Sequence, residues 1–115
     1  MNTKPHLDEE ALAELQDVME DEFEILIHTF INDSWERVAG LRHAIESRDT
    51  TAVAHTAHSF KGSCINIGAP QLGELCRQVE AAGKAEDLTE TPALLQAIES
   101  EFHTVCGLLE GLLVR

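Results

Sequence analysis

The 115-residue sequence predicts an all-α protein, an antiparallel four-helix bundle with a short extra helix at its N-terminal end. Three observations carry that expectation. Apolar residues recur every three or four positions through five successive segments, the spacing that gathers them on one helix face. No segment alternates apolar and polar residues with the period of two that a half-buried strand requires. Helix breakers are sparse, 3 Pro and 7 Gly in all, and with only 4 Phe and 1 Trp the core must come mainly from Leu, Ile, Val and Ala.

The elements follow in order. Asp8 is placed to cap a first short helix with an acidic first turn and apolar positions Leu12, Leu15, Val18 and Met19, ending near Glu20. The residues before it, about 1–7, are expected to form a flexible tail. A second helix over roughly residues 21–48 carries Phe23, Leu26, Ile27, Phe30, Ile31, Trp35, Val38, Leu41 and Ile45 as its stripe. At ~1.5 Å per residue it is about 40 Å long. Asp49-Thr50-Thr51 then breaks the chain and caps a third helix, outlined by Val53, Ala54, Ala57, Phe60, Cys64 and Ile67 and stopped near Gly68. Pro70 opens a fourth, with Leu72, Leu75, Cys76 and Val79 on one face, which fades near Ala85 into the polar run Glu86–Glu90. Thr91-Pro92 supplies a cap and a first-turn proline for the last helix. Leu95, Ile98, Phe102, Val105, Leu109 and Leu112 face inward there, and Gly107 and Gly111, one turn apart, suggest a close helix contact.

Length and composition bound the function. One domain over residues 1–115 is the expectation, since the chain supports a single compact core and contains no linker, repeat or low-complexity tract. A formal charge of -13, from 21 acidic and 8 basic residues, excludes nucleic acid and anionic membrane as natural partners, because both are held by clustered Lys and Arg. The charge is expected to be spread over solvated helix faces and to favour a soluble monomer. The first residues show no apolar leader and no stretch is long enough to span a bilayer, so a cytoplasmic location is expected. Cys64, Cys76 and Cys106 are odd in number and widely spaced, which reads as reduced, partly buried small hydrophobes rather than a disulfide frame or a zinc site.

The chemistry sits in Ala57-His58-Ser59-Phe60-Lys61-Gly62-Ser63 of the third helix. His58, Lys61 and Gly62 stand at i, i+3 and i+4, so they share one helix surface. A glycine inside a helix costs ~1 kcal/mol relative to alanine. That cost is rational where a bulky group must reach the imidazole, and Lys61 then offers a point charge to phosphoryl oxygens. A neutral imidazole is a competent nucleophile near neutral pH, and phosphoryl transfer needs chiefly positioning and charge neutralisation.

This run, followed by Asn66-Ile67-Gly68-Ala69, resembles the signature of histidine-containing phosphotransfer (HPt) domains, and Leu75–Lys84 is similar to the family's second segment. The helix pattern extends the resemblance over essentially the whole chain, which with no appended module resembles the stand-alone members. The resemblance implies that His58 is the phosphorylated histidine, Lys61 the phosphoryl-facing cation and Gly62 the small residue that opens access. It also implies that Glu80 and Lys84 flank the phosphoryl group. A receiver domain of a hybrid sensor histidine kinase is the implied donor and a response regulator the acceptor. The receiver would supply the catalytic aspartate and magnesium, leaving this chain with no cofactor of its own and no kinase activity. Cys64 and Ile65 stand where small residues are common in the family.

Other readings of the same residues are weaker. His55 and His58 are two imidazoles at i, i+3 with no Cys or carboxylate spaced to complete a metal site, so no metal is expected, and His55 reads as a polar residue beside the partner surface. A di-iron bundle needs Glu-x-x-His on two helices, whereas Glu24 to His28 and Glu99 to His103 are i, i+4 pairs. A non-catalytic helical adaptor that binds receiver domains is the main alternative, and the intact His-Ser-Phe-Lys-Gly run argues against it. Ile65, seven residues after His58, shares its face, so it is expected to be partly exposed and, with His55 and Ser59, to contact the partner.

Overall fold

The computed structural model describes residues 4–113, and all the regular structure in it is helical. Five helices follow in order: α1 Glu9–Met19, α2 Glu22–Glu46, α3 Thr50–Ile67, α4 Pro70–Lys84 and α5 Thr91–Leu113. Helices α2 to α5 form the bundle, α3 packing on α2 and α4, and α5 closing the ring against α4 and α2. The molecule measures 43 × 28 × 19 Å, its long axis set by the helix lengths.

Local chemistry fixes where each helix starts. Asp8 Oδ1 accepts from Ala11 N at 3.1 Å, and Asp49 Oδ1 from Ala52 N at 3.0 Å, satisfying amide donors that the first turn leaves free. Pro70 occupies the first turn of α4, where its missing N–H costs nothing. Thr91 departs from its expected capping role: it is buried, and its hydroxyl donates to Leu88 O at 2.7 Å, bracing the α4–α5 loop instead. The stops are less regular. Gly68 takes the left-handed conformation (φ 83°), with Ala69 N bonded to Cys64 O at 2.8 Å. Glu20, Arg48 and Glu86 adopt positive φ at the ends of α1, α2 and α4, although none is glycine. Behind the last two, Asp49 N reaches Ala44 O and Asp87 N reaches Ala82 O, each at 3.0 Å, closing the same turn that Gly68 closes.

The apolar stripes converge on one core that includes Phe23, Ile27, Leu41, Phe60, Leu72 and Ile98. Phe102 sits at its aromatic centre, edge-on to Phe30, Trp35 and Phe60 at centroid distances of 6.4, 5.0 and 6.2 Å. Two stripe positions depart from the sequence expectation: Val18 is 82% exposed and Trp35 53% exposed, because each lies at the edge of its stripe rather than on its centre line. All three cysteines are free and buried.

Two further expectations are corrected. Residues 4–7 are not a loose tail: Leu7 is buried in the core, Asp8 N donates to Gly68 O at 2.7 Å, Gln71 N donates to Pro5 O at 3.3 Å, and His6 Nδ1 lies 2.6 Å from the buried carboxylate of Glu101. Residues 1–3 of that segment lie outside the described residues. Gly107 and Gly111 do not mark a close contact, since a Cβ at either would meet nothing within 4 Å. The close approach is at Gly83, where a Cβ would stand 2.7 Å from Ala54 N and 2.9 Å from Thr50 O. There the backbones of α3 and α4 touch, with no room for a side chain between them.

Candidate functional site

The α3–α4 turn determines which residues meet across the hairpin. Ala69 lies between the helices; His58 precedes it by eleven residues (69 − 58) and Glu80 follows it by eleven (80 − 69). Antiparallel helices of equal rise therefore bring the two side by side. Glu80 comes from the α4 face that also carries Cys76, Val79 and Gly83 inward, so its carboxylate is almost wholly buried, its side chain only 6% exposed.

Three basic groups converge on that carboxylate. Lys61 Nζ lies 2.7 Å from Oε1, while His58 Nδ1 and Lys84 Nζ lie 2.9 and 3.1 Å from Oε2. The hydrogen bond from Lys61, with those from Lys84 and His58, holds the Glu80 carboxyl down at about 2 against the opposing effect of burial. Glu80 is thus an anion at any physiological pH. An ionised carboxylate only accepts hydrogen bonds, so the proton between it and His58 belongs to Nδ1. In the neutral ring, Nε2 then carries the lone pair, on an imidazole whose side chain is 68% exposed.

Gly62 completes the arrangement. A Cβ there would meet nothing within 4 Å, so no neighbour in the protein requires the glycine. The space it leaves is open, one turn from the imidazole.

The sequence-derived site residues fall into two groups. His58, Lys61, Glu80 and Lys84 form one hydrogen-bonded cluster, with Gly62 at its side. Ser59, His55 and Ile65 surround it without joining it. Ser59 Oγ accepts from Arg37 Nε at 3.1 Å, and its carbonyl accepts from Ser63 Oγ at 3.4 Å. His55 lies exposed in a cleft shared with Arg37 and Ser59. Ile65 is 64% exposed, as its place on the His58 face requires, and borders a groove with Leu15 and Val18 of α1. Arg37 and Val18 were not singled out from sequence as site residues: each joins through a contact between helices far apart along the chain. Among the described residues no group of three or more His, Cys, Asp or Glu side chains is arranged to hold a metal ion.

An exposed imidazole, oriented from behind by a buried carboxylate and flanked by two lysines on an all-helical bundle, is the open arrangement that a histidine carrier requires, and not an enclosed cleft. The chain belongs to the Hpt domain family, whose model matches residues 25–109. Among solved structures it is similar to histidine-containing phosphotransfer protein B (HptB) from Pseudomonas aeruginosa PAO1, with 43% identity, a TM-score of 0.90 and 95% of each chain covered. Comparison with curated protein sequences returns no match. The fold, read from sequence as a helical bundle, and a histidine phosphotransfer role in phosphorelay signalling both agree with this membership.

Proposed function

We propose that His58 is the phosphoryl carrier and that Nε2 is the atom that carries it. The lone pair on Nε2 attacks the phosphorus of a receiver's aspartyl phosphate. The new N–P bond forms as the acyl-phosphate P–O bond breaks, and the receiver's carboxylate leaves as the anion. Positive charge grows on the imidazole during the attack, and the Glu80 carboxylate at Nδ1 stabilises it without taking the proton. Lys61 and Lys84, already turned toward this face, offset the charge of the arriving phosphoryl group. A second receiver reverses the step. The Glu80–Nδ1 hydrogen bond carries this reading, because a proton held on Nδ1 leaves the lone pair on Nε2, away from Glu80.

The partners on this reading are a hybrid sensor kinase's receiver domain and a response regulator, and the receiver brings the aspartate and the magnesium. The chain acts as a cytoplasmic monomer; no described helix is long and apolar enough to cross a membrane. Ile65 and the neighbouring Val18 give the docking face an apolar contact, with His55 and Ser59 on its polar side.

The test incubates the protein with radiolabelled phosphorylated receivers and magnesium, comparing the wild type with His58→Gln at alkaline pH. Acid-labile label on the wild type alone is expected, with helicity unchanged in the variant. Label persisting on His58→Gln would overturn the assignment, and receiver binding without label across a broad panel would make the protein an adaptor.

A further inference from the structure

Arg37 is a cation beside the His58 face to which the transfer chemistry assigns no part. It reaches across from α2, and its Nε donates to the hydroxyl of Ser59, the residue after His58. Lys61 and Lys84 end on Glu80, Arg77 ends on Glu74 and Arg42 on Glu99, each meeting a carboxylate. Arg37 ends on a neutral hydroxyl. Asp33 and Glu36 line the same cleft, but among the described residues neither pairs with it. Its terminal amino groups therefore keep their hydrogen-bond donors unused at the edge of the site, in a chain whose net charge is -13.

That placement has a direction. Ser59 is turned about 100° around the helix axis from His58, given 3.6 residues per turn. The guanidinium thus stands to the side of the imidazole, on the α2 flank, opposite the flank where Glu80 holds the two lysines. A phosphoryl group on Nε2 is served from the α4 flank, and Arg37 is placed to meet whatever surrounds that group on the partner. A planar guanidinium with two free donors suits a carboxylate, and the bond to Ser59 holds it ready before the partner arrives.

We propose that Arg37 is a recognition residue for a receiver partner, binding a carboxylate on the receiver surface beside the transfer centre. The inference rests on the phosphotransfer reading of His58. Arg37 offsets the repulsion that an acidic chain otherwise presents to an anionic partner, and so it governs docking and its salt dependence rather than the transfer step.

The test uses a receiver domain charged with radiolabelled acetyl phosphate, and measures single-turnover transfer as a function of receiver and salt concentration. Arg37→Ala is expected to raise the half-saturating receiver concentration by about three- to fivefold. The maximal rate and the thermal midpoint stay unchanged, the deficit of the Ala variant against the wild type shrinks as salt is raised, and Arg37→Lys recovers part of the loss. An unmoved half-saturation point with normal wild-type labelling would sink this inference alone. A lower maximal rate at unchanged half-saturation would also overturn it, by placing Arg37 in the chemistry. No label on the wild type from any receiver would remove the His58 reading, and this one with it.

Discussion

Gly62 and Gly83 lie in the two helices that pack most extensively against each other, and each lowers the intrinsic stability of its helix by a similar amount. They do so for opposite reasons. At Gly83 a side chain would strike the backbone of α3 at 2.7 Å, so the glycine is needed inside the molecule. At Gly62 a side chain would touch nothing, so no packing within the folded chain requires the glycine, and on the proposed function it leaves room for what approaches the imidazole. Glu80 lies on the seam between these two situations. The pair shows that a glycine with protein beside it is explained by the fold, whereas one with open space beside it needs a reason from its neighbours, which Gly62 has in the imidazole one turn away and Gly107 lacks.

The largest effect is expected where that space is filled. Gly83→Ala must push α4 away from Thr50 and Ala54, and a loss of about 2–3 kcal/mol is expected in chemical denaturation. A loss below ~0.5 kcal/mol would mean that the seam yields and that the contrast with Gly62 is false. Acid unfolding probes the middle of the seam. With its carboxyl held at about 2, Glu80 contributes stability that is complete above the ordinary carboxylate value of 4.5 and is lost as pH falls through about 2. Glu80→Gln should therefore flatten the stability–pH curve across that interval, and a curve parallel to the wild type would remove Glu80 as the hub. Gly62→Ala should split two readouts, raising stability by up to ~1 kcal/mol while slowing phosphoryl transfer. A stabilised variant that transfers at the wild-type rate would show that the opening is unused. The smallest effect is expected at Gly107, where Gly107→Ala should add roughly 0.5 kcal/mol in a thermal melt and leave transfer untouched.

Much of this fold was legible because its start signals are local. Asp8, Asp49 and Pro70 each act within three residues of themselves, and the structure uses all three as helix starts. The stops were harder to read, since Glu20, Arg48 and Glu86 occupy backbone conformations that sequence rules reserve for glycine or asparagine. The end of α2 is legible from the cap of the next helix, and that of α4 from the polar run Glu86–Glu90. The site divides in the same way. His58, Lys61 and Gly62 share one helix face and could be placed by spacing, whereas Glu80 and Lys84 were placed by resemblance alone. The bond from Arg37 to Ser59 spans 22 residues and the pairing of His6 with Glu101 spans 95, so no periodicity contains them. Gly83 was passed over for Gly107 and Gly111 because a one-turn repeat of glycines looks like a packing motif, while a single glycine against a partner's backbone leaves no pattern in its own helix.

The N-terminal strap bears on where this domain begins. The segment matched by the family model starts at residue 25, part-way into the first turn of α2, and omits α1 and everything before it. Yet Leu7 and Leu12 are core residues, and Asp8 donates to the carbonyl of Gly68, the residue whose left-handed turn sets α3 against α4. A polypeptide trimmed to the shared segment would keep every reactive group and lose the clasp on the hinge that brings His58 opposite Glu80. The packed core is longer than the segment that the family model matches.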